Sequence, residues 1–374
     1  MDKRHKFITG LCISILMLIV VIVICVQMYG TATPGNKQHP SESNIDIALL
    51  TDSEGVEDSS YNQYSYEGLK KYCKESDVAY KVFTPKTSEN EECLSTVDDA
   101  VKMGVKLIVC SSPNLSETVY QAQDRYSDVS FILVDCMPSS SDGYITKVTP
   151  NVTSLVFDDD ESGFIAGYSA VISGYREMAV LYDAENTTDV HYYYGFVQGA
   201  EYAALEINEN VNIKARDIST EDEKYPMRIA RRYYSKGTQL IMTCNQSVCR
   251  LVNSQAKKYE GAVVINAGCN LNKYKAVAGS VVKNIEEAVY SYVKTYSEGD
   301  DLESEDVVTF NATNNAVCFE PNETILTNFD TEKYEKMYKR LARGKIMLIS
   351  DTTVTIEDLE LTNVTVKEFN HTES

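Results

Sequence analysis

Short runs of β-favouring apolar residues alternate with helical patterns along most of this chain, and the alternation occurs twice. The runs are IDIALLTD (45–52), AYKVFTP (79–85), KLIVCSS (106–112) and SFILVDC (130–136), then EMAVLYD (177–183), VNIKARDI (211–218), TQLIMTCN (238–245), GAVVINAG (261–268) and KAVAGSVV (275–282). Segments such as SYEGLKKYCKES, CLSTVDDAVKMG and YGFVQGAEYAALEIN lie between them. Strands that are apolar throughout are buried on both faces, and helices between them supply the cover. The predicted fold is therefore α/β, with four βα units before DGYITKVTPNVTS and four after it. Two doubly wound parallel-sheet lobes joined by crossing segments are the simplest arrangement.

Several of these strands end on polar residues, as in LLTD, IVCSS, LVDC, VLYD, MTCN and INAGCN. In open α/β sheets, ligands bind outside the carboxyl ends of the strands, so two lobes facing each other would line one cleft with these ends. A polar residue there also serves as a helix N-cap, which is the plainer reading of Ser111, Ser112 and Asp183. Asp52 is different, because a glycine, further acids, serines, Tyr61 and Asn62 follow it in one loop before the helical pattern resumes.

The N-terminus bears on where such a cleft would work. Lys3, Arg4 and Lys6 precede an uncharged apolar run over residues 7–29. As a helix this run would be roughly 35 Å long, enough for a hydrocarbon core of about 30 Å. A basic flank on its N-terminal side predicts a cytoplasmic head of residues 1–6 and a transmembrane anchor over 7–29, with the remainder outside. A lipidated Cys25 and a cleaved secretory signal are the alternatives, and both also place the bulk of the chain outside the cytoplasm. Residues 30–44, rich in Gly, Pro and Ser, read as a flexible tether. The expected division beyond it is 45–148 with about 281–305 as one lobe, 149–280 with about 306–350 as the other, and a tail over 351–374.

Composition narrows the function. A net charge of -20 argues against nucleic acid, whose affinity depends on Lys and Arg neutralising phosphates. Of ten cysteines, Cys12 and Cys25 fall in the apolar segment, and the closest of the other eight, Cys244 and Cys249, lack the CxxC spacing of zinc or redox sites. Disulfide pairing is not deducible from spacing. Three of the four histidines (His5, His39 and His371) lie in the head, tether and tail. Only His191 could serve a catalytic centre, and no HExxH, Walker loop or GxGxxG is present. No enzyme activity, cofactor or metal is expected. Eight N-x-S/T sequons, at Asn114, Asn151, Asn186, Asn245, Asn311, Asn322, Asn363 and Asn370, admit a glycosylated surface protein as a further possibility.

Four stretches carry a resemblance, and they occur in order along the chain. LLTDSEGVEDSSYNQYSYEGLK (49–70) resembles the motif TD.GG..D.SFNQ..W.GL of the basic membrane protein family, the Bmp/Med group of ABC-transporter substrate-binding lipoproteins. PNVTSLVFDDDESGFIAGYSAVIS (150–173) is similar to NV.S..F...E..FLAGY.A, YYYGFVQGAEYA (192–203) to F..GF..GA, and VAGSVVKNIEEAV (277–289) to LTS.VK....AV. The resemblance implies a type I periplasmic-binding-protein fold, a clamp that captures a small solute and presents it to an ABC permease and its ATPase. It also implies a purine nucleoside as ligand, with the base between two aromatic rings and the sugar held by acids and a lysine. Carried over residue by residue, the implied ligand-binding set is Asp52, Tyr61 in place of the phenylalanine, Asn62, Asp135, Tyr192 (with Tyr193 as the alternative) and Lys283.

One departure bears on the ligand. Where the family has GVD.DQ this chain has INAGCN (265–270), so Ala267 and Cys269 stand where acids are expected. Either substitutes such as Asn245, Asn266 or Asn270 hold the sugar, or the ligand is no longer a ribonucleoside. The lost acid predicts weaker discrimination between ribo- and deoxyribonucleosides. A membrane-anchored sensor or regulator using the same clamp without transport is the second functional reading.

Overall fold

The first strand, β1 (Ile47–Leu50), is buried at every position. Its residues divide by parity, with Ile47 and Leu49 packing into one hydrophobic cluster and Ala48 and Leu50 into another on the opposite face. A period of two puts alternate side chains on opposite faces, so a strand apolar throughout needs cover on both sides. The same division recurs in β6 (Glu177–Tyr182), where Met178 and Val180 face one cluster and Ala179 and Leu181 the other.

The structure is a computed structural model and describes residues 45–58, 60–220, 222–299 and 307–370. The expected head, membrane segment and tether lie outside the described residues. Among the described residues, no helix is long and apolar enough to cross a membrane.

The first sheet has six strands. Alongside β1 it holds β2 (Tyr80–Phe83), β3 (Leu107–Cys110), β4 (Ser130–Val134), β5 (Val152–Phe157) and β11 (Val307–Phe310), in the order β11-β5-β4-β3-β1-β2. Every neighbouring pair in it is parallel. The second sheet has seven strands. With β6 it contains β7 (Val211–Asp217), β8 (Leu240–Thr243), β9 (Val263–Gly268), β10 (Val277–Lys283), β12 (Val317–Pro321) and β13 (Val364–Phe369), ordered β12-β10-β9-β8-β6-β7-β13. It is parallel except where β12 runs antiparallel to β10. The chain passes between the sheets after β5, after β10 and again after β11.

Each run expected from the sequence contains a strand, but the expected division is corrected in four places. Val152–Phe157, assigned by sequence to the second lobe, pairs with β4 in the first sheet. Val307–Phe310 likewise pairs with β5 in the first sheet, while Val277–Lys283 belongs wholly to the second. The expected tail supplies β13, a full edge strand beside β7. Its entry is held by the Glu201 carboxylate, which accepts hydrogen bonds from the backbone amides of Thr362, Asn363 and Val364 at 2.8–3.0 Å. The cysteines are thiols at all eight described positions, and most are buried.

Two helices at the junction of the sheets set the geometry of the site. They are α4 (Asp159–Ile172), which follows β5, and α5 (Thr187–Ile207), which follows β6; α1 to α3 are Tyr61–Ser76, Asn90–Lys102 and Ser116–Arg125. Gly163 and Gly167 on α4 face Gly195 and Gly199 on α5. A Cβ added to any of the four would lie 2.0–2.3 Å from a carbonyl oxygen of the other helix. Only glycine permits that approach of backbone to backbone. The contact brings Asp159 and Asp160, at the start of α4, beside His191 and Tyr192 on α5.

Candidate functional site

The carboxyl ends of the two sheets border a cleft of about 520 Å³, within the range of small-molecule sites. A hollow of similar size on the outer face of Tyr225–Tyr234 is lined by Arg228, Arg231 and Arg232, but it is remote from the strand ends. The cleft is therefore the candidate site.

Asp52 follows β1 and is 5% exposed. Its Oδ1 accepts from Asn62 Nδ2 at 2.7 Å and from the Glu54 amide at 3.1 Å. Its Oδ2 accepts from Ser112 Oγ at 3.2 Å and Asn114 Nδ2 at 3.0 Å. Asn62 returns a bond, because its Oδ1 accepts from the Asp52 amide, and Ser111 Oγ donates to the same oxygen. The polarity of the loop after β1 is thus explained by a network fixing one carboxylate. Asn62 is fully buried behind Asp52 and does not line the cleft.

Asp135 ends β4 in the left-handed region, with φ +62°. Asp is among the few residues other than glycine that adopt this conformation readily, and here it turns the carboxylate back toward the sheet. Oδ1 accepts from the Phe157 amide at 3.3 Å. Oδ2 accepts from the Tyr61 hydroxyl at 2.5 Å and from Lys283 Nζ at 2.6 Å. Asp159 Oδ1 lies 2.7 Å from the same ammonium, close enough for an ion pair although not aligned as a hydrogen bond. The Lys283 side chain is fully buried. Burial alone would favour the loss of its proton, but Asp135 and Asp159 outweigh that and hold its pKa well above the usual value. Lys283 therefore sits beneath the cleft floor, bound to two carboxylates, and is not among the residues lining it.

Tyr61 and Tyr192 line the cleft from opposite sheets, Tyr61 at the start of α1 and Tyr192 on α5. Burial, reinforced for Tyr61 by Asp135, keeps both phenols protonated well beyond the ordinary range. Tyr193 turns away from the cleft, stacks on Tyr182 and donates to Glu368. Asp52, Tyr61, Asp135 and Tyr192 thus share one cleft, with Asn62 and Lys283 supporting it from behind.

The second-sheet wall also holds residues that the sequence reading did not single out as ligand-binding. Asn186, Asp189 and Gln246 lie there beside Asn245 and Ala267. Asp189 is 3% exposed, and burial pushes its carboxyl up to about 7. The signal that could have found it is a carboxylate three residues before the cleft aromatic, which a helix places on one face. Of the candidate substitutes, Asn245 caps the helix Gln246–Ala256 by accepting from the Val248 amide at 3.0 Å, yet borders the cleft. Asn266 is fully buried and donates to the carbonyls of Ala267 and Cys269, which shapes the turn rather than the surface. Asn270 is bound to Glu320. His191, the lone candidate for catalysis, places Nδ1 3.0 Å from Asp160, and that bond raises its pKa.

Residues 45–350 match the family model described as Bmp, ABC transporter substrate-binding protein PnrA-like. The chain is 24% identical over 299 residues to the ABC transporter nucleoside-binding protein BmpA of Lactococcus lactis subsp. cremoris, covering 74% of this chain and 81% of that one. It is 22% identical over 300 residues to the CD4+ T-cell-stimulating antigen of Listeria monocytogenes, covering 72% and 79%. Among solved structures, an ABC transporter system solute-binding protein from Aeropyrum pernix K1 superposes with a TM-score of 0.63 at 16% identity, over 82% of this chain and 93% of that one. A transcriptional activator of the comK gene from Bacillus halodurans does so at 0.64 and 17%, over 81% and 99%. These likenesses support the periplasmic-binding-protein-like α/β fold. The family match, covering all of the elements that build the cleft, identifies the chain as an ABC transporter substrate-binding protein of the Bmp family.

Proposed function

We propose that the cleft captures a nucleoside-like small molecule, that Tyr61 and Tyr192 hold its base, and that the loaded protein serves an ABC permease and ATPase as an importer. The observation that carries this reading is the placement of two tyrosines, Tyr61 on α1 and Tyr192 on α5, on a single cleft of about 520 Å³. Aromatic faces suit any base, and stacking contributes about 1–3 kcal/mol per base in nucleic-acid sites. Asp52 and Asp135, fixed by their own networks, supply acceptors at defined positions. The name of the Lactococcus relative supports the same ligand class. We further propose that residues 7–29 tether the binding body outside the cytoplasm; relatives in Pyrococcus are named as lipoproteins.

The test is calorimetric titration with adenosine, guanosine and inosine, alongside Tyr61→Ala. Removing one ring face should weaken binding by about 1–3 kcal/mol, or roughly 5- to 150-fold. Unchanged affinity in that variant would remove Tyr61 from the ligand site. A sensor role has one supporting observation: the Bacillus halodurans protein of the same fold is named as a transcriptional activator. Substrate uptake abolished by deleting the chain favours import, whereas uptake preserved with altered gene expression favours sensing.

A further inference from the structure

The polar atoms of the cleft differ in how completely the protein satisfies them. Asp52 takes four hydrogen bonds and Asp135 three, all from the protein itself. On the second-sheet wall the Tyr192 hydroxyl is buried and has no hydrogen-bond partner among the described residues. Tyr192 as a whole is 1% exposed, and it lines the cleft. Asp189, three residues earlier on α5, accepts the Asp183 amide on Oδ2 at 3.0 Å, and no described residue donates to its Oδ1. Opposite them β9 ends in Ala267 and Gly268, which offer no side-chain acceptor. Gly268 has φ +95°, and a Cβ there would lie 3.6 Å from the Tyr192 hydroxyl, so its absence leaves room in front of that group.

We propose that Asp189 and the Tyr192 hydroxyl form a subsite for two adjacent hydroxyls on the ring of an unphosphorylated ligand. This rests on the reading of the cleft as the ligand site. Spacing of i and i+3 sets the two groups side by side on one helix face. A carboxylate only accepts, whereas a phenol must also donate its proton. A vicinal diol meets both needs, because one hydroxyl donates to Asp189 and the other accepts from Tyr192. An ammonium group has donors alone and would leave the phenolic proton unmatched. Among the described residues no Lys or Arg lines the cleft, so a phosphate would meet Asp52, Glu54, Asp58 and Asp189 without compensation. Asp189 thus supplies, from a helix, the carboxylate that is missing from the end of β9. The discrimination against deoxy-sugars expected to weaken is instead retained.

The experiment is calorimetric titration of adenosine and 2′-deoxyadenosine into wild type, Asp189→Asn and Tyr192→Phe at pH 8, above the raised pKa of about 7 at which Asp189 loses its proton. Both substitutions keep size and shape, and circular dichroism checks that each variant folds. Wild type should bind adenosine about tenfold or more tightly than the deoxy form, on the scale of a hydrogen bond to a charged group. The deoxy form keeps its 3′-hydroxyl, so the variant that lacks the partner of the 2′-hydroxyl should lose the preference for adenosine, and the other variant should bind both nucleosides more weakly. An absent preference in wild type, or one intact in both variants, overturns the subsite. If wild type binds neither nucleoside, the nucleoside reading fails on its own. The subsite is then judged on the solute released from purified protein and identified by mass spectrometry. A solute without vicinal hydroxyls, or one retained equally by Asp189→Asn, overturns it.

Discussion

The two walls of the cleft are built to different degrees of completion. On the first-sheet wall, Asp52 is enclosed by Asn62, Ser112, Asn114 and the Glu54 amide, and Asp135 is clamped by Tyr61, Lys283 and the Phe157 amide. On the second-sheet wall, Asp189 keeps an oxygen with no donor from the described residues, and the Tyr192 hydroxyl has no partner among them. A saturated network holds its acceptors in one geometry before any ligand arrives. Groups left unsatisfied in a buried place gain a partner only on binding. On the proposed reading, the first wall would set the ligand's orientation and the second much of the selectivity.

The largest test of this contrast removes the ion that completes the first wall. Lys283→Met leaves Asp135 and Asp159 buried without their cation, and breaking a buried pair this way costs about 3–5 kcal/mol. Urea unfolding should show a loss of that size. A stability near wild type would mean that the two carboxylates do not depend on Lys283.

Next in size is the helix contact that joins the walls. Gly167→Ala places a Cβ 2.0 Å from the Phe196 carbonyl oxygen, so α4 and α5 must separate. Overpacking of this kind costs about 1–3 kcal/mol. Ligand affinity should fall with it, because Tyr192 rides on α5; thermal unfolding and titration of the same variant read both effects.

The unfinished wall should respond to pH. The folded pKa of Asp189, about 7, lies above the ordinary carboxyl value. Between the two values the folded state binds a proton that the unfolded state has released, so stability falls as pH rises through this window. Glu161, also raised to about 7 by burial, acts in the same direction. The gain of Asp189→Asn over wild type should therefore be larger at pH 8 than at pH 5, by on the order of 2 kcal/mol. Melting temperatures across that range check it, and an undiminished pH slope in the variant would contradict it.

The smallest effect expected is that of Tyr61→Phe. The ring is kept, but one of three hydrogen bonds to Asp135 is lost, a cost of about 1 kcal/mol in stability with little change in stacking. Comparing it with Tyr61→Ala separates the phenol's structural role from the ring's binding role.

Much of the architecture was legible from the chain alone, since strands buried on both faces must be apolar throughout and their spacing leaves room only for helices. The strands missed have specific reasons. Val152–Phe157 carries Thr153 and Ser154 and runs straight into an acidic helix start. Val307–Phe310 is a short edge strand with two exposed residues. Val364–Phe369 is largely polar and depends on Glu201, far away in sequence, to hold its first residues. The resemblance to the family's motifs also led to Asp52, Tyr61, Asp135 and Tyr192, which the fold brings to one cleft.

The depth of each residue was beyond that reach. A lysine seven residues into β10 looks the same in sequence whether it faces a ligand or lies under Asp135. An aspartate in the first turn of α5 looks like any helix-start acid until burial gives it a raised pKa and a place on the cleft. Sequence by itself determined the α/β alternation and the family, and it pointed to the two tyrosines that line the cleft. Tertiary structure alone decided which charges are already neutralised and which polar atoms remain for a ligand, because desolvation and pairing depend on neighbours brought from distant parts of the chain.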